Sequence, residues 1–235
     1  MNQPKVSIVT VVYNDAKGLE KTIKSVINQT YENVEFIIID GGSTDDTVAI
    51  IKRYDDQIDY WVSEKDGGIY DAMNKGINAS TGTWVNFMNA GDTFVNNEVL
   101  SNINFASFTD FALIYGKKIQ NDKVIEPMPI KKLEVGEIHA NHQSMFFNKN
   151  ILGTELKYDN QYKIYGDYEL VNRIYITDKK KISYINIVIA DFEGGGISSQ
   201  ITKQKRLDKY KILYAHYGIY GFIKGIFYRI KKYRY

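Results

Sequence analysis

The sequence predicts an α/β protein built on a mostly parallel sheet with helices on both faces, followed by a smaller antiparallel region. Three observations predict it. Short runs that are apolar along their whole length alternate with stretches whose apolar residues recur every three or four positions, as expected when helices separate strands buried on both faces. The 235 residues are 44% hydrophobic, enough for one large core or a core with a small subdomain. Neither an internal repeat nor a low-complexity linker divides the chain, so residues 1–202 read as one domain and 203–235 as a distinct tail.

Val6–Val12 is a β-branched apolar run and predicts the first strand. Leu19, Ile23, Val26 and Ile27 then mark one face of a helix over 16–28, and 34–39 is again continuously apolar, completing a βαβ unit. Ser43 stands as an N-cap for a helix over 45–54, with a strand over 58–62 after it. Ile69, Ala72, Met73, Gly76 and Ile77 share a helical face ahead of a strand over 83–88. Beyond Asp92 the pattern changes. Residues 97–105 read as a short helix, and 112–116, 118–125 and 143–147 read as strands with no helix between them, which implies antiparallel pairing. A helix over 167–175 and a strand over 182–190 follow. The run Gly194-Gly195-Gly196 then serves as a turn or as the hinge of a lid.

Asp40, Asp66 and Asp92 each follow an expected strand, at the edge where an open parallel sheet presents its ligands. Taken singly, each suits a solvated loop or a helix cap as well; together they point to a site. The corner Phe87-Met88-Asn89-Ala90-Gly91-Asp92 is the most informative, because a carboxylate ending a buried strand is costly unless paired, hydrogen-bonded or metal-bound. No Walker-type phosphate loop or G-x-G-x-x-G turn is present. A diphosphate would instead be held through Mn²⁺ or Mg²⁺ on Asp92, since such ions need only one or two carboxylates. The chain has no cysteine, which excludes disulfides and thiolate zinc sites and fits a reducing compartment. Its three histidines show no H-E-x-x-H spacing. His142 reads either as a satisfied histidine at a strand start or as a site residue, and Trp61 and Trp84 read as core. No signal peptide is recognised at the N-terminus.

Four motifs carry a resemblance: Val6 to Asn14, Ile39-Asp40-Gly41-Gly42-Ser43-Thr44-Asp45, Asp66-Gly67-Gly68 running on to Gly76-Ile77, and Asn89-Ala90-Gly91-Asp92. In order and spacing the chain resembles the family 2 glycosyltransferases of GT-A fold, closely over about the first hundred residues and more loosely, through His142-Gln143-Ser144 and Gly166-Asp167-Tyr168-Glu169-Leu170, to about residue 200. The resemblance implies a Rossmann-like nucleotide-binding part over about 1–95 and an acceptor-side part over about 96–202. It implies that Thr10, Val11, Tyr13, Asp40, Gly41 and Asp66, with Asn89, Ala90 and Gly91, bind the donor nucleotide. Asp92 would then hold the metal and Asp167 serve as general base, with His142 and Gln143 as candidate acceptor or phosphate contacts. Two residues depart from the family pattern: Asn89 stands where many relatives have Asp, and Gly166 where Glu is common.

The implied activity is inverting transfer of a sugar to a hydroxyl of a glycan acceptor, lipid-linked, in surface polysaccharide synthesis. The donor is read as a UDP-hexose or UDP-N-acetylhexosamine. The rivals are a nucleotide-sugar hydrolase or nucleotidyltransferase using the same cation, and a silent nucleotide-sugar binding module. Charge adds a second theme. The net charge is +2, but residues 203–235 hold ten Lys or Arg against Asp208 alone, so the tail carries +9 and the body −7. Leu207, Tyr210, Tyr214, Tyr217, Ile223, Ile226, Phe227 and Ile230 recur at helical spacing, and Lys224 interrupts the longest apolar stretch, which therefore does not span a bilayer. A helix lying on an anionic membrane is expected, at the inner face of the cell membrane, with a helix packed on the domain or a dimer contact as the alternative. No nucleic-acid-binding motif accompanies the basic residues.

Overall fold

The computed structural model describes residues 3–137, 140–194 and 203–232. β1 (Val6–Val12), β2 (Val34–Asp40), β3 (Tyr60–Ser63) and β4 (Trp84–Phe87) lie in the order β3-β2-β1-β4, all parallel. Their unbroken apolar character has a geometric cause, since successive side chains point to opposite faces and both faces are covered. Ile8, Phe36 and Ile38 pack with Leu19, Ile23, Ile50 and Ile51 of α1 (Ala16–Ile27) and α2 (Thr47–Arg53). Val9, Ile37 and Ile39 pack on the other face with Ala72, Met73 and Ile77 of α3 (Ile69–Ala79). The chain thus leaves β1 over one face and reaches β4 over the other. The loops beyond these neighbouring strands diverge and open a crevice at their carboxyl ends.

β5 (Thr93–Phe94), β6 (Leu113–Gln120), β7 (Lys123–Ile125), β8 (Met145–Asn148) and β9 (Ile182–Asp191) extend this into a nine-stranded sheet continuing β4-β8-β6-β9-β5, with β7 on β6. β8 runs antiparallel to β4 and β6, whereas β9 runs parallel to β6 across register shifts near Tyr115 and Lys117. The second half is therefore mixed and not wholly antiparallel. After the short α4 (Lys149–Leu152), α5 (Gly166–Asp178) brings the chain back so that β9 enters alongside β6 in the same direction.

Several local expectations need correction. Residues 97–105 form turns in place of a helix. The Asn96 side chain accepts from Glu98 N, and a lone i→i+4 bond from Asn102 N to Glu98 O gives way to tighter bonds beyond it, while Val99, Leu100 and Ile103 are buried. The expected strands 112–116 and 118–125 are instead β6 running through Gly116 and a hairpin to β7. Asn121 and Asp122 both have positive φ, 51° and 57°, as a two-residue hairpin turn requires. The strand expected from residue 143 starts at Met145, because His142–Ser144 is a 3₁₀ turn. Ser43 does not cap α2, which begins only at Thr47; its hydroxyl donates to Asp40 and accepts from Asn14 N. Ile69 is 38% exposed and Tyr70 is buried, so the buried face of α3 starts one residue later than its apolar spacing suggests. Trp84 is core, while Trp61 is half-buried and donates to Asp55. Gly195 and Gly196 lie outside the described residues; Gly194 has φ +80°.

The tail forms α6 (Lys203–Lys232), bent at Gly218, where φ is 63°. Ile212 and Leu213 are fully buried in the same core cluster as α3 and α5. The Tyr217 hydroxyl bonds Asn172 of α5, Lys209 and Lys232 pair with Glu137, and Lys224 pairs with Glu134 at 2.6 Å. The helix is thus packed on the domain on both sides of the bend. Beyond the bend, Ile219, Tyr220 and Phe227 are exposed by 62%, 73% and 67%.

Glu35, buried at the start of β2, ties three segments together by accepting from Ser7 Oγ, Thr81 N and Thr81 Oγ1 at 2.5, 2.7 and 2.6 Å. Burial alone would push this carboxyl up. The Ser7 and Thr81 bonds outweigh it and hold the group below the usual 4.5. Its stabilisation is therefore fully present above pH 4.5 and is lost as pH falls through the lower folded value. Glu35→Gln is expected to lose about 1–2 kcal/mol at pH 7 and to lose less stability on acidification than the parent. Urea unfolding between pH 7 and 3 measures both.

Candidate active site

A cavity of about 1420 Å³ lies at the carboxyl edge of β1 to β4. Val11 and Tyr13 enter it from β1 and its end, Gly41 from after β2, Asp66 from after β3, and Asn89, Ala90, Gly91 and Asp92 from after β4; His142, Gln143 and Asp167 complete the set. Thr10 and Asp40 stand behind the wall. Thr10 is fully buried and donates to Met88 O at 2.7 Å, joining β1 to the end of β4. Asp40 is also fully buried; its carboxylate accepts from Ser43 N, Ser43 Oγ and Ser63 Oγ and so shapes the Gly41-Gly42 turn from within. Asp66 does reach the cavity, accepting from Gly68 N and lying close over Gly41.

The corner after β4 is tightly braced. Gly91 adopts φ +92°, a conformation that a side chain would strain, and so lets the chain turn back to Asp92. Thr22 of α1 donates its one hydroxyl proton to the Asp92 carbonyl at 2.7 Å and lies 3.2 Å from that of Asn89, and Lys21 donates to the carbonyl of Gly91. Asp92 is 6% exposed; Oδ2 accepts from Gln143 Nε2 at 2.5 Å and Oδ1 from Glu193 N at 3.1 Å. Burial, only partly offset by Gln143, pushes its carboxyl above the usual 3.8. A divalent cation would reverse that penalty. Nearby, Asn89 Oδ1, Gln143 Oε1 and Asp167 Oδ1 are buried acceptors with no hydrogen-bond partner. Among the described residues no group of three or more His, Cys, Asp or Glu could cage a metal. The donor set thus fits an ion anchored by Asp92 and completed by phosphate and water oxygens.

Asp167 lies in the first turn of α5. Its Oδ2 is 2.8 Å from His142 Nδ1, and His142 Nε2 is 2.8 Å from Asn89 Nδ2. A carboxylate only accepts, so Nδ1 carries the proton. Burial disfavours the imidazolium, but the charge and hydrogen bond of Asp167 outweigh it and lift His142 above the usual 6.5. Two tyrosines that sequence reasoning missed back this acid. Tyr70 stacks on Tyr158 with ring centres 4.9 Å apart and donates to Ile164 O at 2.7 Å. Burial, then the charge of Asp167, push both phenols well above 10.0, so they stay neutral. Counting the helical face of α3 from Tyr70 through Met73, Asn74 and Ile77 would have found the first; Tyr158 sits in a loop without periodicity. Tyr70 also accounts for the glycine at 166, since a Cβ there would lie 2.7 Å from Tyr70 Cε2. Lys21 and Glu193 line the cavity too and were not anticipated.

The model of the family Glycosyl transferase family 2 matches residues 7–176. An uncharacterized glycosyltransferase of Mycobacterium tuberculosis is 32% identical over 205 residues, covering 83% of this chain and 78% of that protein. A PGL/p-HBAD biosynthesis glycosyltransferase of Mycobacterium bovis is 28% identical over 219 residues, covering 89% and 85%. Among solved structures, S. aureus TarS 1–349 in complex with UDP superposes with a TM-score of 0.70 at 15% identity, over 90% of this chain and 65% of that one. A mannosyltransferase from Pyrobaculum calidifontis in complex with GDP-Man and Mn²⁺ gives 0.67 at 13% identity, over 96% and 74%. At these identities the two structures speak for the fold, which is GT-A.

Gly166→Ala is expected to force Tyr70 off Tyr158 and to lower unfolding free energy by about 1–3 kcal/mol, the usual cost of overpacking a filled core. Urea denaturation measures it, and an unchanged midpoint would mean that Tyr70 does not fill that space.

Proposed function

Because the chain belongs to the family 2 glycosyltransferases, we propose that it moves a sugar from a nucleoside diphosphate, read as UDP, to a hydroxyl of a lipid-linked glycan acceptor, with inversion at the anomeric carbon. The observation that carries this reading is that a single cavity holds both Asp92 and Asp167, the first at the nucleotide edge of the sheet and the second on α5. The nucleoside lies against Val11, Tyr13, Gly41 and Asp66, with Thr10 and Asp40 supporting that wall from behind. Asp92 would hold Mn²⁺ or Mg²⁺, which when bound offsets negative charge on the departing diphosphate. The complexes of related folds with UDP, and with GDP-Man and Mn²⁺, support this assignment.

Asp167 acts as general base. The acceptor O–H bond breaks and its proton passes to the Asp167 carboxylate. The oxygen forms the new bond to the anomeric carbon as the bond to the phosphate oxygen breaks, and the nucleoside diphosphate leaves with that electron pair. One base suffices, unlike the paired carboxyl groups that glycoside hydrolases usually need. The buried tyrosines behind Asp167 close that side of the carboxyl to water, so its approach is from the cavity alone. A surface glycan or glycolipid acceptor is consistent with the M. bovis relative of PGL/p-HBAD biosynthesis.

The domain over 1–202 carries the chemistry, and α6 brings it to the inner face of the membrane where such acceptors reside. No helix among the described residues is long and apolar enough to cross a bilayer. With Lys209, Lys224 and Lys232 engaged by glutamates, contact rests on Ile219, Tyr220 and Phe227 beyond the bend, assisted by Arg229 and Lys231.

Asp167→Asn is expected to lower glycoside formation on the order of 100-fold or more while UDP affinity stays within about threefold. Asp92→Ala should instead weaken UDP binding in Mn²⁺ down to the parent's value in chelator. Mass analysis of products from a panel of UDP-sugars decides the reaction class: free sugar or sugar phosphate would mean a hydrolase or nucleotidyltransferase, and binding without turnover a silent module. For α6, the full chain should float with phosphatidylglycerol vesicles, and joint replacement of Ile219, Tyr220 and Phe227 by Ser should abolish flotation; equal flotation of both proteins removes the membrane role.

A further inference from the structure

The reaction above uses Asp167 but leaves the buried histidine beside it without a task. His142 lies in the 3₁₀ turn His142–Ser144 and is 9% exposed, with both ring nitrogens engaged. Nδ1 meets Asp167 Oδ2 at 2.8 Å and Nε2 meets the Asn89 amide at 2.8 Å. The turn itself is rigidly placed. Asn86, fully buried in β4, donates from Nδ2 to the carbonyls of Gln143 and Met145 at 3.0 and 2.9 Å, which fixes the backbone that carries the ring. At the far end, the Asn89 carbonyl accepts from Asp92 N at 3.0 Å. A continuous series of bonds therefore runs from the donor corner through Asn89 and His142 to the acid on α5.

Besides His142, the buried Tyr158 hydroxyl acts on the Asp167 carboxyl from behind. Its Oδ1 is buried and without a partner, whereas the side chain retains 15% exposure. This leaves Oδ2 as the oxygen open to the cavity, and the bond from His142 occupies only one of its lone pairs. A carboxylate free to rotate about its terminal torsion would present that oxygen only part of the time. Asn89 adds a further constraint. An aspartate at that position could only accept, and so would demand a proton on Nε2, whereas an amide can donate to Nε2 and leave the proton on Nδ1. The departure of this chain from the family pattern at residue 89 is thus matched to the ring it touches.

We propose that His142 is a positioning residue for the transfer reaction: its Nδ1 fixes Oδ2 of Asp167 toward the acceptor hydroxyl, and its Nε2, held by Asn89, sets the distance between that base and the donor corner. The inference rests on the proposed role of Asp167 as base. A general base must lie within hydrogen-bond reach of the proton it takes, and small misplacement in such sites costs large factors in rate. Loss of His142 should therefore appear in kcat and leave donor binding nearly intact, because the groups that contact the nucleotide are untouched.

Side-chain geometry supplies the test. The amide nitrogen of an asparagine falls near the place of Nδ1 and donates as Nδ1 does, whereas a glutamine can place its amide oxygen near Nε2 and accept from Asn89 as Nε2 does. His142→Gln thus keeps the contact to Asn89 and loses the one to Asp167, while His142→Asn does the reverse. Each full-length variant is assayed for glycoside formation from a panel of UDP-hexoses and UDP-N-acetylhexosamines with a polyprenyl-diphosphate disaccharide acceptor. UDP binding in Mn²⁺ is measured by calorimetry, which also shows that the site is folded. His142→Gln should lose on the order of 100-fold in kcat with UDP affinity and donor KM within about threefold of the parent. His142→Asn should recover at least roughly tenfold of that loss. Parental kcat in His142→Gln, an equal loss in both variants, or a rise in donor KM at constant kcat would each overturn the positioning role while the transferase reading stands. A parent protein that forms no glycoside from any donor overturns the proposed function as well.

Discussion

Two acids from distant parts of the chain, Asp92 after β4 and Asp167 on α5, are both bonded by one two-residue stretch, and the architecture of the cavity depends on that bridge. Gln143 donates to Asp92 and His142 bonds Asp167. Buried carboxylates are tolerated only when donors meet them, so the elements that carry them are drawn to the same 3₁₀ turn. The turn is fixed in its turn by β8, which inserts between β4 and β6, and by Asn86, which clamps its carbonyls from within β4. The antiparallel insertion of β8 is thus what places the mixed second half of the sheet against the parallel first half.

The parallel half contributes the other constraint. Crossing over one face of the sheet after β1 and over the other before β4 leaves the ends of those neighbouring strands uncovered, and Thr10 and Thr22 hold the two edges in position. Behind the site, close packing passes shape from one element to the next. Tyr70 lies flat on Tyr158 and against Gly166, so α3 sets where α5 can begin and hence where Asp167 stands. Polar residues in the wall are largely paired with one another. The exceptions among the described residues, Asn89 Oδ1, Gln143 Oε1 and Asp167 Oδ1, are buried behind the stretch of wall that joins Asp92 to Asp167.

α6 illustrates how one helix can serve two environments. Ahead of Gly218 its apolar residues Ile212 and Leu213 complete the core, and its first turn brings Lys205 to the cavity rim. Past the bend the same periodicity continues; Lys224, Tyr228 and Lys232 still meet the domain, while Ile219, Tyr220 and Phe227 on the outer side stay uncovered. The charge asymmetry of the tail is less free than its composition suggests, since Glu134 and Glu137 take up three of its lysines.

The sequence by itself determined the α/β class, the order of the first four strands and helices, and the four motifs that mark the family. These follow from local rules: which residues tolerate burial on both faces of a strand, which recur along a helix, and which turns need glycine or an acid. It misplaced what local rules do not govern. Residues 97–105 carry apolar spacing but pack as turns, because Asn96 and Asn104 begin tighter bonds than a helix would make. β9 pairs in parallel with β6 because α5 carries the chain across, a fact written in no single segment. Asp40 was legible as an acid at a strand end, yet only folding revealed that Ser43 and Ser63 turn it inward. The link from Asn89 through His142 to Asp167, and the pair of tyrosines behind it, likewise belong to the tertiary structure alone. Hydrogen bonds and ring stacking between residues far apart in sequence depend on distances that no spacing along the chain encodes.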